Sequence, residues 1–122
     1  MEAQKISEMV LDFAGEFLRL GETPDQRRNL LSGACSAWNI ACAPAETRAE
    51  LVDQFLANYR LCNLGADAEQ CRGVRQDMEL LIQQKMKKYP DVIKQIVSCE
   101  LTVVDGKDHI VVLSLRQDRP NQ

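Results

Sequence analysis

Histidine, aromatic residues and glycine-rich segments are scarce in this chain of 122 residues. The single histidine is His109, and the five cysteines stand at positions 35, 42, 62, 71 and 99. Zinc sites usually draw on CxxC pairs or closely spaced histidines, and the sequence has neither. The six glycines are scattered, so no glycine-rich phosphate loop is present. The sequence therefore predicts no metal site and no bound cofactor.

An excess of basic charge is also missing. The chain carries 18 acidic and 15 basic residues, for a formal net charge of −3 and a pI near 5.2. A general nucleic-acid-binding protein normally presents a dominant positive field. Aromatic residues make up only 5% of the chain, which disfavours a surface that stacks on bases. Nucleic acid is therefore not the favoured partner.

No long hydrophobic run is present either. The longest uncharged segment, residues 29–45, is shorter than a typical membrane span and is interrupted by Asn39 and Pro44. Charges at Glu2 and Lys5 make the N-terminal segment unlike a secretory signal. The odd number of cysteines favours a reducing compartment with free thiols. We expect a cytoplasmic protein that does not bind membranes.

The segment from Leu30 to Pro44 contains the only tryptophan, Trp38, and no charged residue. Its many small side chains allow helices to approach closely, and the indole supplies volume to a core. Apolar residues recur at spacings of three and four, which is typical of a helix. Thr23 and Gln26 form a capping-box pattern before it, and a proline disfavours its continuation. The sequence predicts a central buried helix over residues 24–42.

Two cysteines and an asparagine in this helix invite a functional interpretation. Cys35 and Cys42 are seven residues apart, about 10.5 Å along a helix axis, which is too far for a disulfide. We expect them to pack as small apolar side chains. Asn39, if buried, needs hydrogen-bond partners, so it either fixes a register or faces the wetter side of the helix.

Three further helices are predicted from hydrophobic period and capping residues. Gly21 ends the first, Pro44 and Glu46 suit the start of the third, and Asp67 with Gln70 forms a capping box at the start of the fourth. The short connections favour antiparallel neighbours. The four predicted helices span residues 4–20, 24–42, 45–63 and 68–89.

After Pro90 the pattern changes to alternating β-branched residues on either side of Asp105-Gly106, a strong hairpin signal. We predict strands over residues 96–104 and 107–116 and a polar tail over 117–122. A three-residue turn would pair Val103 with Lys107. The predicted fold is a single α+β domain over residues 1–122, with a four-helix bundle followed by a two-stranded antiparallel β-hairpin.

The predicted turn also decides which side chains of the second strand face away from the helices. It places Ile110, Val112 and Ser114 on the outward face, which would then be partly apolar. A lone hairpin has two open edges, which invite pairing with another chain. We therefore predict an assembly strand at these three residues. It would pair with a second copy or receive a strand from a protein partner. The favoured function is a small non-enzymatic accessory or protein–protein interaction protein that self-associates.

One alternative is a binding module for nucleic acid or a phosphorylated ligand. Its basis is a group of basic residues in and after the fourth helix, although cations also suit a helix C-terminus for electrostatic reasons alone. The predicted basic patch consists of Arg72, Arg75, Lys85, Lys87, Lys88 and Lys94.

A less favoured alternative is an enzyme that uses a thiol or the histidine. Cys71 lies at a predicted helix start beside Arg72, a setting that lowers thiol pKa, and Cys62 could lie across the turn from it. His109 would need a thiol such as Cys99 or Cys71 within hydrogen-bond distance for Cys-His catalysis. Packing in the apolar stripes of their helices is the favoured interpretation of Cys62 and Cys71, and a lone histidine in a strand is more often a packed or surface residue.

Overall fold

The computed structural model describes residues 6–63, 65 and 67–114. Four helices come first, and two antiparallel strands follow. The predicted α+β class, with N-terminal helices and a C-terminal hairpin, is confirmed. The predicted ends at residues 4–5 and 115–116 and the polar tail over 117–122 lie outside the described residues. The elements are α1 (Ile6–Leu18), α2 (Pro24–Ala41), α3 (Ala45–Cys62), α4 (Ala68–Lys88), β1 (Ile96–Val104) and β2 (Lys107–Ser114).

The predicted capping residues start α2 and α4. Thr23 Oγ1 accepts a hydrogen bond from the Gln26 backbone N–H at 3.1 Å. At α4 the capping box is complete, with Asp67 and Gln70 each accepting from the other's backbone N–H at 2.8 and 2.9 Å. Such caps satisfy N–H groups that have no partner within the helix. Local sequence therefore fixes both helix starts.

The helix α2 runs through the centre of the molecule. It packs against α1, α3, α4 and β1, and its small buried residues Ala34, Ala37 and Ala41 permit this close approach. Trp38 is completely buried, with the rings of Phe13 and Tyr89 at centroid distances of 5.4 and 5.8 Å. The segment predicted to be central is therefore the core of the fold. None of the described helices is long and apolar enough to cross a bilayer.

The hairpin turn is one residue shorter than predicted. Val104 pairs with Lys107, so only Asp105 and Gly106 form the loop. Both have positive φ, 52° and 77°, as a type I′ turn requires, and this turn matches the natural twist of paired strands. The predicted pairing of Val103 with Lys107 is therefore wrong, because Val103 lies opposite Asp108.

This one-residue difference reverses the predicted faces of β2. Val112 is 3% exposed and Ile110 packs against the hydrophobic core, opposite Cys99 and Leu101 respectively. Because side chains alternate along a strand, a shift of one residue turns the whole strand over. Ile110 and Val112 therefore do not face outward, which corrects the predicted assembly strand; Ser114, opposite Ile96, is half-buried.

Candidate functional site

The outward face of the hairpin carries the side chains that alternate with those of the core. We call it the outer sheet face. Ser98, Glu100, Thr102 and Val104 of β1 pair with β2 residues Leu113, Val111, His109 and Lys107. An irregularity in pairing between Ile96 and Ser98 places Val97 on this side as well, where it is 62% exposed. Val97 is thus a surface residue, because a bulge changes the alternation of side chains.

Three exposed apolar residues of the outer sheet face lie together at the end of the hairpin away from the turn, whereas Val104, 51% exposed, lies beside the turn. Val97, Val111 and Leu113 are 62%, 52% and 56% exposed. Leu113 lies opposite Ser98, next to Val97, and Val111 lies opposite Glu100. Single exposed apolar residues are ordinary, but neighbouring ones on a rigid sheet are typical of a contact surface.

Helix side chains hydrogen-bond both strands of the hairpin. The Asn39 amide donates to the Ile96 carbonyl at 2.8 Å and accepts from the Ile96 N–H at 2.6 Å. On β2, Ser7 Oγ accepts from the Val112 N–H at 2.9 Å and donates to its carbonyl at 3.3 Å. Arg28 Nε donates to the Leu101 carbonyl at 2.9 Å. These bonds occupy backbone groups that an added strand would need.

Lys85 does not belong to a basic surface patch, because it is completely buried. It continues the apolar stripe of Met78 and Leu81 at helical spacing. Its Nζ lies 5.0 Å from the centroid of the Trp38 ring and donates a hydrogen bond to the Val92 carbonyl. The ammonium is therefore held by a cation–π contact and by the chain that follows α4.

Burial dominates the electrostatics around Lys85. Desolvation lowers the pKa of its ammonium, while the thiol of Cys42 opposes that shift and the Arg48 guanidinium adds to it. Burial also raises the pKa of the Cys42 thiol, against the effect of the two cations. Cys42 Sγ lies 3.7 Å from the same Val92 carbonyl that Lys85 contacts. Lys85 and Cys42 therefore meet at one backbone carbonyl, with the indole of Trp38 beside the ammonium.

The remaining predicted basic residues are spread along α4 and beyond. Arg75 is bound to Asp53 at 2.6 Å, and Lys88 lies 3.8 Å from the Asp12 carboxylate. Arg72 is in the first turns of α4 and Lys87 in its last turn, which separates their backbones by about 22 Å. Lys94 is exposed in the segment before β1. The structure does not gather the six residues into one patch.

The predicted thiols and the histidine belong to different elements of the fold. Cys62 is exposed at the end of α3, and Cys71 is partly buried in α4. His109 is exposed on the outer sheet face, whereas Cys99 points to the opposite, inner face. The sheet therefore separates His109 from Cys99, and this pair cannot act as a nucleophile and base.

One cysteine pair was not foreseen from the sequence. Cys35 of α2 is 5% exposed and belongs to the hydrophobic core, and the partly buried Cys99 of β1 packs against this core near it. Burial strongly raises the pKa of the Cys35 thiol, and interaction with the Cys99 thiol raises it further. The residues are 64 positions apart, so spacing could not reveal the contact. The only available signal was that both lie on apolar faces.

A groove opens between the helices on another side of the molecule. It encloses about 820 Å³ and is lined by Phe17, Leu30, Phe55, Val74 and Met78, with Asp77 at its edge. Partial desolvation raises the pKa of the Asp77 carboxyl. The volume is within the range of small-molecule sites, and the lining also includes Asn58, Tyr59 and Cys62.

Within the described residues, no group of three or more His, Cys, Asp or Glu side chains is arranged to hold a metal ion. Comparison with known proteins gives no family model, no curated protein and no solved structure that matches this chain.

Proposed function

We propose that this protein is a small non-enzymatic interaction protein that associates with a second copy of itself through the outer sheet face. The observation that carries the proposal is the exposure of Val97, Val111 and Leu113 beside one another on a two-stranded sheet. Contact between two such faces removes apolar area from water, which favours association. The free thiols fit a reducing compartment such as the cytoplasm.

Hydrogen bonding at the strands favours face contact over strand addition. Asn39 and Arg28 bind backbone groups of β1, and Ser7 binds those of β2. A strand added at either position would have to displace a helix side chain that already makes hydrogen bonds. The outer sheet face needs no such displacement.

The charges of the outer sheet face suit a second copy. It carries one carboxylate, Glu100, and one ammonium, Lys107, whereas the whole chain has a formal net charge of −3. The net negative charge makes two copies repel each other, but the charges on this face cancel, so the repulsion is weakest when the copies approach through it. Isologous contact about a two-fold axis brings the same apolar residues together from both copies.

The size of the face predicts weak association. Two strands of about eight residues present a rectangle of about 27 by 10 Å, which is smaller than the roughly 800 Å² that each partner of a stable complex buries. We therefore expect a dissociation constant in the micromolar range or weaker, so that the protein exchanges between monomer and dimer.

Sedimentation equilibrium of the full chain from about 10 μM to 1 mM tests the proposal, because this range spans micromolar dissociation constants. The average mass should rise from that of the 13.8 kDa monomer toward twice that value. Leu113→Lys should keep the monomer mass throughout, because it places a charge in the apolar contact. Circular dichroism should show that the variant remains folded.

Leu80→Lys is the matched control. Leu80 is 58% exposed on α4, nearly the same fraction as Leu113, so the two substitutions differ mainly in location. The control should associate as the natural chain does. A natural chain that stays monomeric at every concentration, or an association that Leu80→Lys abolishes and Leu113→Lys does not, contradicts the proposal.

A further inference from the structure

Cys35 and Cys99 meet where the central helix packs on the hairpin. Cys35 belongs to the buried face of α2, and Cys99 points from β1 into the same hydrophobic cluster, opposite the buried Val112. The two thiols also interact, and the proximity of Cys99 adds to the rise in the pKa of the Cys35 thiol that burial causes. The two side chains therefore lie near each other across the interface between α2 and β1.

Two polar contacts fix this juxtaposition from either side. Asn39, one helical turn after Cys35, holds the backbone of Ile96. Arg28, two turns before Cys35, holds the carbonyl of Leu101. Because α2 and β1 are joined at both positions, the two cysteines between them have little freedom to separate. The alignment of the helix and the strand therefore keeps the two residues close to each other.

We propose that Cys35 and Cys99 are a redox-active pair that forms an intramolecular disulfide when a hydroperoxide oxidises the protein. The disulfide would covalently fasten β1, and with it the hairpin, to the central helix. This proposal is independent of self-association, because both thiols lie on the inner side of the sheet.

The first chemical step takes place at Cys99, the more accessible of the two thiols. Its thiolate attacks one oxygen of the hydroperoxide, so that an S–O bond forms and the O–O bond breaks. The leaving oxygen takes up a proton and departs as water, or as an alcohol from an alkyl hydroperoxide. Cys99 becomes a sulfenic acid, and the hydroperoxide has accepted two electrons.

Cys35 completes the reaction. Its thiol gives up a proton as its sulfur attacks the Cys99 sulfur, so that the S–S bond forms and the S–O bond breaks. The proton and the departing hydroxide leave as water. In sum, two thiols and one hydroperoxide give one disulfide and two small products, water twice in the case of hydrogen peroxide. Since burial raises the pKa of Cys35, its deprotonation should make this step the slower one.

The test uses the full chain with Cys62 and Cys71 replaced by serine, which removes the exposed thiol at the end of α3 and the partly buried one in α4. The chain is treated with hydrogen peroxide, unfolded, alkylated and digested without reductant. Mass spectrometry should find a peptide pair joined through Cys35 and Cys99, and the intact mass should fall by two hydrogen atoms. The melting temperature should rise by on the order of 10 °C and return on reduction.

Two further variants of the chain that lacks Cys62 and Cys71 test whether the disulfide is specific to Cys35 and Cys99. Cys99→Ala should abolish both the linked peptides and the rise in melting temperature, whereas Cys42→Ala should retain both. The natural chain, mapped in the same way, provides a readout that needs no substitution. Peptides in which Cys35 is alkylated after complete oxidation of Cys99, or a link from either cysteine to Cys42, would overturn the proposal.

Discussion

The side-chain amide of Asn39 pairs with both backbone polar groups of Ile96, accepting from its N–H at 2.6 Å and donating to its carbonyl at 2.8 Å. In this position the side-chain amide makes the same pair of hydrogen bonds that a backbone residue of a neighbouring strand would make. The amide therefore does for β1 what a third strand would do in a larger sheet. It also fixes where along α2 the strand begins.

Replacing Asn39 with alanine should destabilise the protein by about 1–3 kcal/mol, because two part-buried backbone groups of Ile96 lose their partner. Urea unfolding followed by circular dichroism measures this loss. Asn58→Ala is the control, since Asn58 is exposed on α3, and it should change stability by less than about 0.5 kcal/mol. Equal effects of the two substitutions would contradict a special role for Asn39.

The burial of Lys85 predicts a specific pH dependence. Its pKa in the folded protein is lower than the ordinary value of 10.5, so between these two pKa values the unfolded chain binds more protons than the folded one. The contribution of Lys85 to the free energy of unfolding therefore increases as the pH rises toward 10.5. Lys85→Met removes this contribution while keeping most of the side-chain volume.

The measurement is the difference in unfolding free energy between the natural chain and Lys85→Met from pH 7 to pH 10. The natural chain should gain on the variant as the pH rises. The thiols of Cys35 and Cys42 act in the opposite sense at high pH because their pKa values are raised. Cys35 does so in both chains, whereas the pKa of Cys42 rises further in Lys85→Met because Lys85 no longer opposes the effect of burial, which adds to the same difference. Lys87→Met, which changes an exposed lysine, should show the same dependence of unfolding free energy on pH as the natural chain. The same dependence in Lys85→Met would refute the prediction.

Alanine substitutions at two glycines, Gly106 in the hairpin turn and Gly73 in α4, should change stability in opposite directions. Gly106→Ala should destabilise by about 1–2 kcal/mol, because φ is +77° there and a side chain disfavours that conformation. Gly73→Ala should stabilise by about 0.5–1 kcal/mol, because Gly73 is inside α4 and an added methyl group meets no atom within 4 Å. Thermal unfolding of both variants measures the difference. Shifts of the same sign would argue against the two-residue turn or the position in α4.

Fluorescence gives a direct check on the core. Trp38 is the only tryptophan and is 0% exposed, so all native indole emission comes from one dry site. The emission should be shifted to the blue relative to the unfolded chain, and acrylamide should quench it weakly. A native spectrum that resembles that of the urea-unfolded protein would contradict the placement of α2 in the centre.

Local signals in the sequence were enough to find the elements of the fold. Thr23 with Gln26, and Asp67 with Gln70, marked helix starts because capping involves residues three apart. Helical spacing marked the buried stripes, and Asp105-Gly106 marked the hairpin. All of these depend on interactions within a few residues, which the sequence shows directly.

The wrong predictions concern positions whose structure depends on contacts between distant parts of the chain. Asp-Gly fits more than one turn length, and packing of Val112 on the helices selects the two-residue turn. Lys85 was assigned to the surface by its charge, although its spacing from Leu81 placed it on the buried stripe. Trp38 and the Val92 carbonyl make that position suitable for an ammonium, and neither contact can be seen in the sequence.

The segment between α4 and β1 is tied to the bundle at several points in succession. Lys85 holds the Val92 carbonyl, Trp38 Nε1 donates to the Lys94 carbonyl at 2.8 Å, and Asn39 holds Ile96. Exchange of hairpins between two copies requires a connecting segment that can swing out as a free hinge. Here that movement would break each of these bonds and uncover the indole. Two copies should therefore meet as complete folded units, without exchanging their hairpins.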